Sequence, residues 1–279
     1  IPFITGYTQG VTPNPCLNCN RTIRWQFLLD RALALGADYL ATGHYVRLRS
    51  QNYNLHLNSK PKFELLRGVD HSKDQSYVLH ILTQEQLAHA LFPLGAYSKA
   101  QVREMALDFG LPVAQREDSQ DLCFLGGDDY QSFLIRQTPQ VVKPGPITNL
   151  DGEQIGQHQG LAFYTIGQRK GLGIQTSHPL YVIKKDNTTN TLFVAPEGHL
   201  GKQDLTAGEV NWISGIAPEQ PIVGTIKIRY KAEDTDGLIT PQKDGSIKIR
   251  LTRPLRDITP GQAAVIYNGE LCLGGGIIR

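Results

Sequence analysis

Residues 37–45 read Ala-Asp-Tyr-Leu-Ala-Thr-Gly-His-Tyr, a short apolar strand that runs straight into a glycine. A helical pattern precedes it: Ile23, Phe27, Leu28, Ala32 and Leu35 recur at helical spacing, with Asn18 or Asn20 available as the cap and Gly36 as the stop. A helix feeding a buried strand that ends on a glycine is the order of an α/β sheet, and ligands on such sheets bind beyond the strand ends. The first part of the chain is therefore read as α/β, with an amphipathic helix leading into the sheet.

Downstream lie a polar insert from about Gln51 to Lys62, the run Phe63-Glu-Leu-Leu-Arg, a loop at 70–75, and helical patterns near Ser76–Leu82 and Ser98–Phe109. The first domain is expected to end near Glu117. From Asp118 to about Leu200 closely spaced glycines favour hairpins over long helices. Beyond Gly201, residues 225–230 and 246–251 alternate apolar and basic side chains at period two, the pattern of a small β-barrel. Ile226, Ile228, Ile247 and Ile249 would face its core, and Lys227, Arg229, Lys248 and Arg250 its outside. Such a basic stripe suits phosphates, and equally a merely solvated face.

The chain has 279 residues, 40% of them hydrophobic and 19% charged, and a net charge of +2. This is ordinary globular composition, long enough for two or three cores, and nucleic-acid binding would have to come from local clustering. No apolar run is long enough to span a bilayer, and no basic start leads into a signal segment, so no membrane partner and a cytoplasmic setting are expected. The chain opens on Ile1 and its single methionine is Met105, so residues upstream of Ile1 are expected.

Four cysteines are too few for a secreted disulfide framework. Cys16 and Cys19 form a close pair, and Cys123 follows roughly a hundred residues later. Three sulfurs that converge serve sulfur transfer, a redox switch or a metal cluster; three that do not are buried thiols. Cys19 stands just before the expected helix start, where free N–H groups and the helix dipole favour a thiolate, and Arg21 and Arg24 add positive charge. Pro13 and Pro15 stiffen the approach. Zinc is disfavoured, since no second pair or histidine pair follows at ligand spacing. Cys272, amid apolar residues, reads as a packed thiol.

Six ordered runs carry a resemblance: Thr12-Pro-Asn-Pro-Cys-Leu-Asn-Cys-Asn, residues 37–45, Lys73-Asp-Gln-Ser-Tyr, Asp118-Ser-Gln-Asp-Leu-Cys-Phe, Tyr164-Thr-Ile-Gly-Gln-Arg-Lys-Gly-Leu-Gly and Pro260-Gly-Gln. Together, and over essentially the whole chain, they resemble the tRNA-specific 2-thiouridylase (MnmA) family. The resemblance implies the C-terminal part of an adenine-nucleotide alpha-hydrolase-like (PP-loop) parallel-sheet domain at 1–117. A small, mostly β central domain carrying Cys123 at 118–200 and a tRNA-binding β-barrel at 201–279 would follow. It implies an enzyme that adenylates carbon 2 of a wobble uridine with ATP and Mg2+ and installs sulfur there. Cys123 would bear the persulfide and Cys19 would be its partner thiol, forming a disulfide with it. Gly43 would contact ATP. Asn14, Pro15, Cys16, His44, Lys73, Asp74, Gln75, Arg229, Tyr230 and Gln262 would contact tRNA, whose target base leaves its stack. The partners would be a tRNA with a modifiable wobble uridine and a sulfur-donor protein or sulfide source. The glycine-rich run 164–173 would face tRNA or the sulfur donor, although hairpin structure explains its glycines equally.

Two departures from the family pattern stand out. The Ser-Gly-Gly-x-Asp-Ser pyrophosphatase loop is absent from residues 1–279, so this stretch alone is expected not to activate uridine. Cys16 occupies a position where many members carry an aspartate. With Cys19 and Cys123 it supplies three ligands, enough for a 4Fe–4S cluster with one open iron. Persulfide relay and cluster-bound sulfide thus stand side by side, and a non-catalytic RNA-binding protein using the basic barrel face is the alternative outside enzymes.

Overall fold

The computed structural model describes residues 2–51, 62–116, 122–123, 125–230, 232–256 and 258–279. The polar insert, the first domain's expected end and most of the run 118–124 lie outside the described residues.

The helix expected after the cysteine loop starts one turn earlier than anticipated. Asn14 is its cap: the backbone there is extended, and Oδ1 accepts from the N–H groups of Cys16 at 3.1 Å and Leu17 at 3.3 Å. Pro15 fills the first position, where its missing N–H costs nothing. Pro15–Asn18, Cys19–Leu28 and Leu29–Ala34 then follow without a break. Asn18 and Asn20 lie inside the helix, and Asn20 Nδ2 donates back to the Cys16 carbonyl at 3.0 Å. Gly36 ends it as expected, at φ +86°, with its own N–H on Leu33 and that of Ala37 on Ala32.

The face this helix buries differs from the one read from sequence. Leu17, Asn20, Trp25 and Leu29 are buried, whereas Ile23, Phe27, Leu28 and Leu35 are exposed, Phe27 by 66% and Leu35 by 75%. The middle stretch Cys19–Leu28 is wound with i→i+5 bonds, Leu29 N–H reaching the Arg24 carbonyl. Such a helix turns less per residue than one of 3.6 residues per turn, so the apolar phase slips, and Asn20 and Trp25 share a face five residues apart.

The strand at 37–45 is short. β1 (Leu40–Ala41) pairs in parallel with β4 (Ala90–Leu91), and this is the parallel sheet of the first domain. Between them, β2 (Val46–Gln51) and β3 (Lys62–Arg67) form a hairpin that joins the C-terminal barrel. In the middle of the chain, β5 (Gly145–Thr148), β6 (Gln154–His158), β7 (Tyr181–Asp186) and β8 (Thr191–Ala195) form a mixed sheet of order β6-β5-β8-β7. Its core takes in Leu134 from the helix Tyr130–Gln137 and Phe3 and Tyr7 from the N-terminal helix Pro2–Thr8.

The last six strands, β9 (Lys202–Trp212), β10 (Ile222–Lys227), β11 (Thr235–Pro241), β12 (Ile247–Leu255), β13 (Ala263–Asn268) and β14 (Leu271–Ile278), close into a barrel because β13 pairs with both β10 and β14. Ile226, Ile228, Ile247 and Ile249 fill its core, as their alternation requires. The basic residues divide. Lys248 and Arg250 face solvent, but Lys227 is half-buried against Asp234, and Arg229 is half-buried with Nη2 on Thr259 Oγ1 at 2.8 Å and on the Ile166 carbonyl at 3.4 Å. They do not make one stripe.

Candidate functional site

The loop at 12–14 leads into the helix that carries the first two cysteines, and it is fastened to the barrel. Thr12 N–H donates to the Pro260 carbonyl at 2.9 Å, and Gln262 Nε2 donates to the Thr12 carbonyl at 2.8 Å. Gly261, at φ +90°, lets the two chains approach, since a Cβ there would come within 2.9 Å of the Thr12 oxygen. Gln262 therefore holds the cysteine loop with the side-chain nitrogen that the resemblance aims at tRNA.

Cys16 lies in the first helical turn and is solvent-exposed; Cys19 follows one turn on, half-buried; Cys123 is exposed on a turn of its own. The three converge. Cys16's thiol is raised above its ordinary value first by the protein around it, then by the neighbouring charges of Cys123 and of Cys19, with Arg24 opposing. The helix start favours an anion at Cys16 rather than at Cys19, because the cap is Asn14. Cys272 is buried in the core, its thiol pushed up to about 12 by that burial. Among the described residues no group of three His, Cys, Asp or Glu side chains stands in position to hold a metal ion.

Arg24 is held by His44. The ring is buried, Nε2 lies 3.2 Å from Arg24 Nη1 and Nδ1 lies 2.9 Å from Thr42 Oγ1. Burial first and the Arg24 charge second lower the imidazole to about 4, so the ring is neutral. A guanidinium only donates; Nε2 is thus the acceptor and Nδ1 carries the proton. The result is a relay of contacts, Thr42 to His44 to Arg24, that ends in positive charge beside Cys16. Arg21, the other nearby cation, is taken by Glu209 at 2.9 Å.

Gly43, between Thr42 and His44, is exposed just past the end of β1, with only Leu94 in ordinary contact distance of a would-be Cβ. Of the 73–75 loop, Asp74 is buried and accepts from Gly68 N–H, Ser76 N–H and Ser76 Oγ, while Gln75 Oε1 accepts from Tyr45 N–H at 3.0 Å. Lys73 is half-buried. The loop also touches a network that no sequence pattern signals. Arg67 stacks on Tyr267 at 3.6 Å, binds Asp234 at 2.6 Å and lies 4.0 Å from Asp74, joining the first domain to the barrel. Only its buried charge could have flagged it, and burial is not visible in a lone Arg.

Arg229 and Gln262 line one groove of about 1030 Å³ with Tyr230, which is 38% exposed. Thr12, the residue that Gln262 fastens, lines it too, so the groove runs up to the cysteine loop.

Comparison with known proteins agrees with this layout. Residues 1–127 match the family model of the tRNA methyl transferase HUP domain, 131–196 that of the tRNA methyl transferase PRC-barrel domain and 202–278 that of the aminomethyltransferase β-barrel domain. The chain is similar to tRNA-specific 2-thiouridylases MnmA of Roseiflexus castenholzii (45% identity over 99% of the chain and 76% of the relative) and Chloroflexus aurantiacus (44%, 99% and 75%). That of Magnetococcus marinus is 44% identical over 99% of the chain and 75% of its own length. Identity of this extent across all three domains makes the chain a member of the tRNA-specific 2-thiouridylase MnmA family.

Proposed function

We propose that this protein uses ATP to replace the oxygen on carbon 2 of a tRNA wobble uridine with sulfur, and that the sulfur passes through Cys123 and Cys19. The observation that carries the reading is that Cys123, distant in sequence, lies close enough to Cys16, one helical turn before Cys19, for its charge to act there beside Arg24. The family models speak of methyl transfer and the relatives of thiolation; converging thiols suit the second.

Adenylation of the C2 oxygen turns it into a leaving group. The terminal sulfur of a Cys123 persulfide then attacks C2 and AMP departs, leaving C2 joined through sulfur to Cys123. The Cys19 thiolate next attacks Cys123 Sγ, the Cys19–Cys123 disulfide forms and the thiolated uridine leaves with the electron pair of the broken S–S bond. An external thiol reduces the disulfide for the next turnover. Gly43, open beyond β1, would lie against the nucleotide. Mg2+ would accompany the phosphates of ATP. The three thiols do not stand as a metal-holding set, and no step is routed through an iron–sulfur cluster.

The test is 2-thiouridine formation by the protein expressed from its own gene, with ATP, tRNA and a persulfide donor, read by mass spectrometry. Cys123→Ser and Cys19→Ser are expected to abolish product, and Cys16→Ser to retain it in an iron-free preparation. Activity that depends on Cys16 and on bound iron would overturn the relay in favour of the cluster.

A further inference from the structure

A second cavity, of about 240 Å³, lies in the seam between the central sheet and the barrel, and shares Ile166 and Arg256 with the groove that Arg229 and Tyr230 line. The two adjoin at these shared residues. Cationic side chains reach it from separate elements: Lys170 from the 164–173 loop, Lys184 and Lys185 from β7, Lys202 from β9 and Arg256 from just past β12. No Asp or Glu lines either part among the described residues. Rim carboxylates answer two of the cations, Asp186 pairing with Lys184 at 3.6 Å and Glu197 with Arg256 at 2.7 Å. Lys170, Lys185 and Lys202 have no ion pair among the described residues.

Lys185 is the most telling of them. Its Nζ donates to the Tyr164 carbonyl at 2.9 Å, which takes one of its three protons and leaves two for a ligand. Burial pushes the amine down to about 8, the cost of a cation with no counter-charge. The 164–173 loop around Lys170 is stiff: Gln168 Oε1 accepts from Thr165 N–H, Gln168 Nε2 donates to the Lys170 carbonyl, and Gly167, Gly171 and Gly173 hold positive φ. By contrast, the cavity on the barrel face with Lys248, Arg250 and Arg279 is also lined by Asp204, a carboxylate that the seam's lining lacks among the described residues.

We propose that this seam is the track of the substrate RNA's backbone, with phosphates held by Lys170 in the groove and by Lys185 and Lys202 in the inner cavity. The proposal rests on the tRNA reading above and adds where the strand runs. An RNA strand is favoured over an acidic peptide because the lysines come from separate elements along the seam and the groove adds Tyr230, an exposed aromatic face that suits a base.

The test measures binding of an anticodon stem-loop RNA, without ATP, across a salt series. Lys170→Gln and Lys202→Gln, both at exposed positions, should each make the slope of log K against log salt shallower by about 0.7–0.9, as loss of one phosphate contact requires. The paired change Lys248→Gln with Arg250→Gln should leave it unchanged. Unchanged slopes in the first two variants, or a shallower slope in the barrel-face pair alone, would overturn the seam. The Lys185 amine, followed by NMR, should titrate at higher pH once RNA is bound; a rise with inorganic phosphate but none with RNA would mean an adventitious ion only. A wild-type protein that binds no stem-loop would refute the tRNA reading itself, whereas binding with unaltered slopes would refute the track alone.

Discussion

At the scale of the residue, Gln262 shows how a side chain that lines the groove also fastens the cysteine loop. Its amide nitrogen is committed to the Thr12 carbonyl, three residues short of the helix that presents Cys16 and Cys19. Gln262→Ala should therefore lower the thiolation rate at saturating tRNA by roughly ten- to a hundredfold, the cost of a small displacement of reacting groups, while tRNA affinity changes little. Weakened affinity at an unchanged rate would instead make Gln262 an RNA contact. Its role was not legible in the sequence, because Pro260-Gly-Gln points to function without saying that the partner lies 250 residues away. The three cysteines were legible as a set. What the sequence placed on the wrong residue was the helix start: Asn14 had to compete with Asn18 and Asn20 as cap, and three side chains of equal capping power leave the choice to the fold.

At the scale of the element, the helix from Pro15 to Ala34 carries the lesson about periodicity. A pattern read at 3.6 residues per turn put Ile23, Phe27 and Leu28 inward; the i→i+5 winding of Cys19–Leu28 put Trp25 and Leu29 there instead. Trp25 is fully buried, its ring 5.5 Å from Phe92, and its carbonyl accepts from Gln86 Nε2 at 2.7 Å. Trp25→Ala should cost about 3–5 kcal/mol in urea unfolding, the range for a buried aromatic truncated in a packed core. A cost below about 1 kcal/mol would show that the site collapses around the loss. The barrel strands were read correctly because alternation at period two survives any twist, whereas a helical phase is lost with one change of winding. The β2–β3 hairpin was read only as far as its apolar run, since its attachment to β14 through Leu66 and Leu271 is a contact between distant segments.

At the scale of the whole molecule, the domains share buried polar groups, and stability should follow pH accordingly. His44 and His80 are both lowered to about 4 from 6.5, chiefly by burial, so the folded protein keeps them neutral. As pH falls below 6.5 the unfolded chain takes up protons first, and stability should decline until about pH 4, by on the order of 3 kcal/mol per histidine. Urea titrations at pH 7 and 4.5 would show the fall, and His80→Leu should flatten it; an unflattened slope would refute the assignment. The α/β start and the β-barrel were foreseen because each is a local pattern repeated. The Arg67–Asp234–Tyr267 junction between them was not, because each partner is unremarkable alone. The fastening of Thr12 by Gln262 also has a consequence in time. On the ribosome the cysteine loop is made 250 residues before the glutamine that fastens it, and the barrel closes only when β14 pairs with β13 and β9. The thiols thus stay unassembled until the barrel strands have been made, and the site becomes competent only in a step that waits for β14.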